Sequence, residues 1–131
     1  MVIEHFSDVN KFLSKVYRIL NPGGYIIVIT HDEQHFLSKI FKDKHPIIND
    51  EHLCVFSKTT LAKILTKHNF EINEIKSLKN IYSLQYWIKM FPMNKYFTNF
   101  FILILQFLGL KDVNLGIKAG NIYCIARKPV K

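Results

Sequence analysis

Glycine is scarce in this chain, five in 131 residues, and no two of them form a G-x-G ahead of a helix. That excludes the glycine-rich turn by which many α/β domains bring backbone N–H groups against a nucleotide. Cysteine is scarcer still: Cys54 and Cys124 lie far apart, each among apolar neighbours, and no C-x-x-C spacing points to a metal. Both thiols read as small hydrophobes in a reducing compartment. Arg18 and Arg127 are the only arginines, so the formal net charge of +8 is carried by lysines scattered from Lys11 to Lys131. Scattered lysine without bidentate arginine describes a solvated surface, and no nucleic-acid partner is expected. The opening M-V-I-E-H-F has neither the basic start nor the apolar core of a signal peptide, and the longest greasy run, Phe100 to Leu110, is about half a bilayer span. A cytoplasmic location, with peripheral membrane contact as a variant, is the expectation.

What is present is enough apolar material for one ordinary domain: 49% of the residues are hydrophobic. The chain turns on Leu20 to Thr30, L-N-P-G-G-Y-I-I-V-I-T. Before it, Val9, Phe12, Leu13, Val16, Tyr17 and Leu20 follow helical spacing, which predicts a helix from Asp8 to Leu20 capped by Ser7. Pro22 and the two following glycines stop that helix, and Tyr25 to Thr30 then reads as a strand buried on both faces of a parallel sheet. At its carboxyl end the composition flips to His31, Asp32, Glu33, Gln34 and His35, where open α/β sheets bind ligands. A short helix is expected over Phe36 to Phe41 and a loop over Lys42 to His52. A helix capped by Ser57 should end near His68, with Asn69 in the left-handed conformation. Phe70 to Leu78 and Asn121 to Lys128 read as strands, and Tyr82 to Phe91 and Lys95 to Leu108 as helices parted by Pro92.

Four blocks, in order, resemble the carboxyl-terminal half of a class I S-adenosylmethionine-dependent methyltransferase, of the broad group that includes the ubiquinone-biosynthesis and type 11 or 23 methyltransferases. V-I-E-H-F-S-D is similar to the segment leaving the family's fourth strand. K-V-Y-R-I-L-N-P-G-G-Y-I-I-V-I-T resembles its helix, Pro-Gly-Gly turn and fifth strand. E-H-L-C-V-F-S-K-T-T-L-A-K-I-L-T-K-H-N-F-E-I resembles the stretch in which a histidine precedes "fs..tl..ll...gf", with Asn69 where glycine is usual, and I-Y-C-I-A-R-K-P the last strand.

The resemblance implies a Rossmann-like α/β sheet, one partial domain over residues 1–131, with an aromatic-rich helical insertion or lid at 80–110. It implies methyl transfer from S-adenosylmethionine to a small-molecule or lipid-like acceptor. Glu4 and His5 are then expected to contact the cofactor, with His5 also a candidate base, and the pair a remote candidate for a divalent metal. Capping of the next helix is the plain alternative. His31 and Asp32 are expected to face the substrate, and His52, matching the family histidine, to line its pocket; His5, His31 and His52 are the candidate bases. H-D-E-Q-H, from His31 to His35, is not the H-E-x-x-H of zinc proteases, and His45 and His68 read as surface.

In the family the donor lies on a glycine-rich loop and an acidic residue of the first half, neither of which occurs here, so this chain is expected to bind the donor poorly. If Met1 to Ile3 is the stub of a strand, Tyr25 to Thr30 presents an open apolar edge, to be met by a missing amino-terminal half or by self-association. A non-catalytic half-domain and a basic peripheral-membrane module are the alternatives. The segment Tyr82, Tyr86, Trp87, Met90, Phe91 and Phe97 to Leu110 is expected to be core, with a lid over an apolar acceptor or a membrane contact as the other readings.

Overall fold

The computed structural model describes residues 2–35 and 53–130. Expectations for the short helix over Phe36 to Phe41, the loop over Lys42 to His52 and the side chains of His45 and His52 lie outside them.

A single 3-10 turn at Ile3–His5 leads into α1, Val9–Ile19. Among the described residues no strand stub forms at the start: Ile3 is buried in that turn, as part of the core rather than of the sheet. The cap of α1 is Asp8, whose Oδ1 accepts from Lys11 N at 2.9 Å, one position later than expected. A carboxylate three residues back reaches the orphan amide as well as a serine and adds charge at the positive end of the helix. The helix closes with Leu20 N donating to Val16 O, and Gly23 then takes φ +79°, a conformation glycine adopts without steric cost. A methyl group on Gly24 would stand 2.8 Å from Asn21 O, so the turn has no room for a side chain there.

β1, Tyr25–His31, runs antiparallel to β3, Asn114–Arg127, with Val28 opposite Cys124 and His31 opposite Asn121. The sheet order is β1-β3-β2, where β2 spans Glu71–Ser83, and β1 is therefore an edge strand among the described residues. Between β1 and β2 lies α2, Lys58–Lys67, opened by a capping box in which Ser57 Oγ accepts from Thr60 N and Thr60 Oγ1 from Ser57 N. It ends at His68 and Asn69, whose φ of 64° is the left-handed cap read from the sequence.

Leu13 of α1 and Leu61 and Leu65 of α2 join one core with Val28, Ile122, Cys124 and Ala126. Both helices thus cover the same face of the sheet. The other face of β1 is bare: Tyr25 is 53% exposed, Ile27 65% and Ile29 40%. The expectation of a strand in a parallel sheet, buried on both faces, is corrected on both counts, because the only neighbour of β1 among the described residues is antiparallel and no described helix lies on its second face.

β2 and β3 are each longer than the sequence suggests. Their far ends enter a second compact unit, Lys79–Lys118, which also holds α3, Leu84–Met90, and α4, Lys95–Phe107. Within it Trp87 is buried, with its indole N–H donating to Leu115 O at 2.8 Å. No residue of α4 is buried, however, so the expectation that the aromatic segment forms core fails for this helix. A unit this small has too little interior to cover two greasy helices.

Candidate active site

The polar residues at the carboxyl end of β1 stand where the strand leaves the sheet. Thr30 is on the core side and 1% exposed, and its hydroxyl donates to Glu4 Oε2. Glu4 is 2% exposed, and its backbone carbonyl accepts from Leu53 N and Cys54 N, which ties the first turn of the chain to the segment leading into α2. His31, one residue along and on the opposite face, reaches Asn121 of β3: Nδ1 lies 2.7 Å from Asn121 Oδ1, and because an amide oxygen only accepts, Nδ1 carries the proton in this contact. His31 Nε2 lies 3.9 Å from Glu4 Oε1. An asparagine, an imidazole, a carboxylate and a hydroxyl thus follow one another across the end of the strand.

Such a row can fix one tautomer of the imidazole, with its Nε2 on the side of the Glu4 carboxylate. The sequence-predicted residues divide accordingly. Glu4 and His31 are brought together. His5, next to Glu4 in sequence, is exposed, so the two are not presented alike. Asp32 is 8% exposed and its Oδ1 accepts from Gln34 N at 3.1 Å, which gives it a turn-forming task; its backbone N–H donates to Gly120 O. Two members were missed by sequence reasoning. Thr30 was counted only as the last residue of an apolar strand, and Asn121 only as the first of another. Their facing depends on strand register, for which one sequence carries no signal.

Gly23 and Gly24 belong to the turn before β1, Gly109 follows α4, and Gly116 and Gly120 lie within β3, so no glycine opens a helix from the loop after a strand. The carboxylate of Glu4 is buried and already accepts from Thr30. Among the described residues no group of three His, Cys, Asp or Glu side chains could hold a metal ion.

Beside the site an apolar groove of about 350 Å³ runs along the open side of β1, lined by Val2, Ile3, Phe12, Val16 and Ile26 to Ile29. A second cleft of about 490 Å³, lined by Phe6, Lys11, Phe12, Lys15, Val16 and Ile19 among others, continues from it over α1.

The model of a methyltransferase domain family matches residues 1–75. The chain belongs to this methyltransferase family. No curated protein sequence matches it. Among solved structures it is similar to a candidate methyltransferase from Bacillus halodurans C-125, at 16% identity and a TM-score of 0.58, over 99% of this chain and 67% of that one. An S-adenosylmethionine-dependent methyltransferase from Thermotoga maritima matches at 19% identity and TM-score 0.57, over 98% of this chain and 53% of that one. The [4+2]-cyclase SpnF matches at 16% identity and TM-score 0.57, over all of this chain and 48% of that protein. The chain thus spans from about half to two thirds of the length of these relatives, and what it shares with them at such identities is the fold.

Proposed function

We propose that the chain is the acceptor-side part of an S-adenosylmethionine-dependent methyltransferase, acting on a small-molecule or lipid-like acceptor, and that the donor is held by a partner segment seated against β1. The observation that carries this reading is the edge strand itself. β1 follows the Pro-Gly-Gly turn inside the stretch matched to the family, yet among the described residues no strand pairs with its outer edge and no helix covers its Tyr25, Ile27 and Ile29 face. An open apolar edge is a pairing site. His31 is the residue proposed to take a proton from an acceptor O–H or N–H at Nε2, with Asn121 and Glu4 orienting it and Asp32 shaping the turn beside it. His52 keeps its proposed place by the acceptor through the family resemblance, and the exposed His5 its place as a candidate base and, with Glu4, a donor contact.

A donor titration tests this. Equilibrium dialysis of the chain with labelled S-adenosylmethionine is expected to show no saturable binding, and binding should appear when a segment encoded upstream or a partner half is supplied. Saturable binding by the chain alone would overturn the reading. Size-exclusion chromatography gives an independent check: self-association is expected, whereas a monomer that melts cooperatively and leaves a hydrophobic dye dark would sink the open-edge half of it.

A further inference from the structure

The helix α4 has an unusual surface for a water-facing element. Its sequence is K-Y-F-T-N-F-F-I-L-I-L-Q-F, and none of its 13 residues is buried. Tyr96 is 82% exposed, Phe97 63%, Phe100 58%, Leu103 64% and Phe107 91%. At about 100° per residue these side chains, with Phe101 and Ile104, fill one continuous arc of roughly 160°, while Lys95, Asn99 and Gln106 fall together on a narrow polar stripe. Thr98, Ile102 and Leu105, the residues that are partly covered, lie on the side between, where α3 packs. At its amino-terminal end Tyr86, Met90, Phe91 and Met93 add further exposed apolar surface. Scattered exposed hydrophobics are ordinary, but a contiguous patch of this kind marks a contact surface.

Charge says what the contact is. The unit Lys79–Lys118 carries five lysines, at 79, 89, 95, 111 and 118, against a single acidic residue, Asp112, which is engaged by Gln85 Nε2 at 3.0 Å. Lys89, Lys95 and Lys111 flank the greasy helix on the chain. A second copy of this surface would bring the same lysines against them and be repelled. An aqueous small-molecule acceptor would need a pocket, and neither groove described above is lined by this unit. A helix of 13 residues is about 20 Å long and cannot cross a hydrocarbon layer of about 30 Å, and no described helix can. Apolar arc, narrow polar stripe, flanking lysines and insufficient length together describe a helix lying in the plane of an interface.

We propose that the unit Lys79–Lys118 docks on an anionic lipid bilayer, with the Tyr96, Phe97, Phe100, Phe101, Leu103, Ile104 and Phe107 face of α4 in the headgroup-acyl boundary and Lys89, Lys95 and Lys111 against the lipid phosphates. The family match ends at residue 75, so this surface stands independently of the methyltransferase reading.

The test is flotation of the full chain with vesicles of phosphatidylcholine alone and of phosphatidylcholine containing phosphatidylglycerol. Flotation separates lipid binding from self-association, since a protein oligomer without lipid stays at the bottom of the gradient. The chain should float with anionic vesicles at low salt, and roughly tenfold or more weakly with neutral ones. K89E/K95E/K111E should lose the preference for anionic lipid. F100S/F107S should abolish flotation at any salt while leaving circular dichroism unchanged, because neither ring is buried. Failure to float at low salt, equal binding to both vesicle types, or a F107S-sensitive oligomer that excludes lipid would each overturn the proposal, the last by making a second protein copy the occupant.

Discussion

Lys128 should be worth more to stability than any other lysine of the sheet, and the geometry says how much. Its ammonium donates to Tyr17 O and to Leu20 O, both at 2.7 Å, and sits 4.7 Å from the centroid of the Tyr17 ring. Those two carbonyls belong to the last turn of α1 and the residue that ends it, where intrahelical donors have run out. The same residue's backbone pairs with the turn, its N–H donating to Gly24 O and its carbonyl accepting from Gly23 N. The side chain is half-buried, so water would replace part of what Lys128→Met removes while the methionine keeps the apolar stem. Charge-assisted hydrogen bonds lost at such a site cost about 1.5–3 kcal/mol, and the interaction with the helix end contributes about 0.3–1 kcal/mol, partly the same energy counted twice.

The expected loss is therefore about 2 kcal/mol, or a melting temperature lower by roughly 8 °C. Urea unfolding followed by far-ultraviolet circular dichroism, at one fixed protein concentration because self-association shifts the midpoint, measures it. Lys63→Met, at an exposed position on α2, is the control and should change stability by no more than about 0.5 kcal/mol. Lys128→Arg should retain part of the effect and be little changed by salt, since close hydrogen bonds are poorly screened. A Lys128→Met loss equal to the control would refute the assignment of Lys128 as the clasp between α1 and β3.

Thr30→Val removes a hydrogen bond from the buried Glu4 carboxylate and should cost about 1–3 kcal/mol in the same assay, with Thr30→Ser much milder. Gly24→Ala, whose new carbon would meet Asn21 O at 2.8 Å, should cost more than Gly109→Ala, where nothing lies within 4 Å and only the φ of +68° is strained; equal losses would contradict the turn geometry. Burial pushes the Cys124 thiol from 9.0 up to about 11, so native protein should react with a disulfide reagent only at the partly exposed Cys54, and at both thiols in denaturant. The same shift gives an alkaline limb. A folded value above the unfolded one means the contribution is whole below pH 9.0 and is lost as pH rises through about 11, and Cys124→Ala should flatten that fall. Tyr123, held above its usual value by its bond to Glu74, adds to the same limb, and Tyr123→Phe separates the two.

Local structure was legible because it is encoded locally. The spacing of Val9, Leu13 and Val16 gives α1, Ser57 gives the start of α2, and Asn69 gives its end, all within a few residues of the signal. The extensions of β2 to Ser83 and β3 back to Asn114 were not legible, because those strand ends support each other across thirty-odd residues of sequence rather than by alternation of their own. For the same reason half of the candidate site was readable. Glu4 and His31 stand out as polar residues beside apolar strands; Thr30 and Asn121 matter only once the register sets His31 opposite Asn121.

The largest departure between pattern and structure is itself informative about function. Tyr25, Ile26, Ile27, Val28 and Ile29 have no alternation, the composition of a strand covered on both faces, yet α1 and α2 both pack on the Ile26 and Val28 side. α4 likewise carries aromatic residues of core type on a face that nothing described covers. The two bare surfaces differ in what surrounds them. That of β1 ends, among the described residues, in strand backbone with no strand beside it, which another strand can complete. That of α4 has its backbone hydrogen bonds satisfied within the helix and is flanked by lysines, so it asks for apolar contact and negative charge without further main-chain pairing. A protein segment suits the first and a lipid surface the second, which is why covering one is not expected to remove the need for the other.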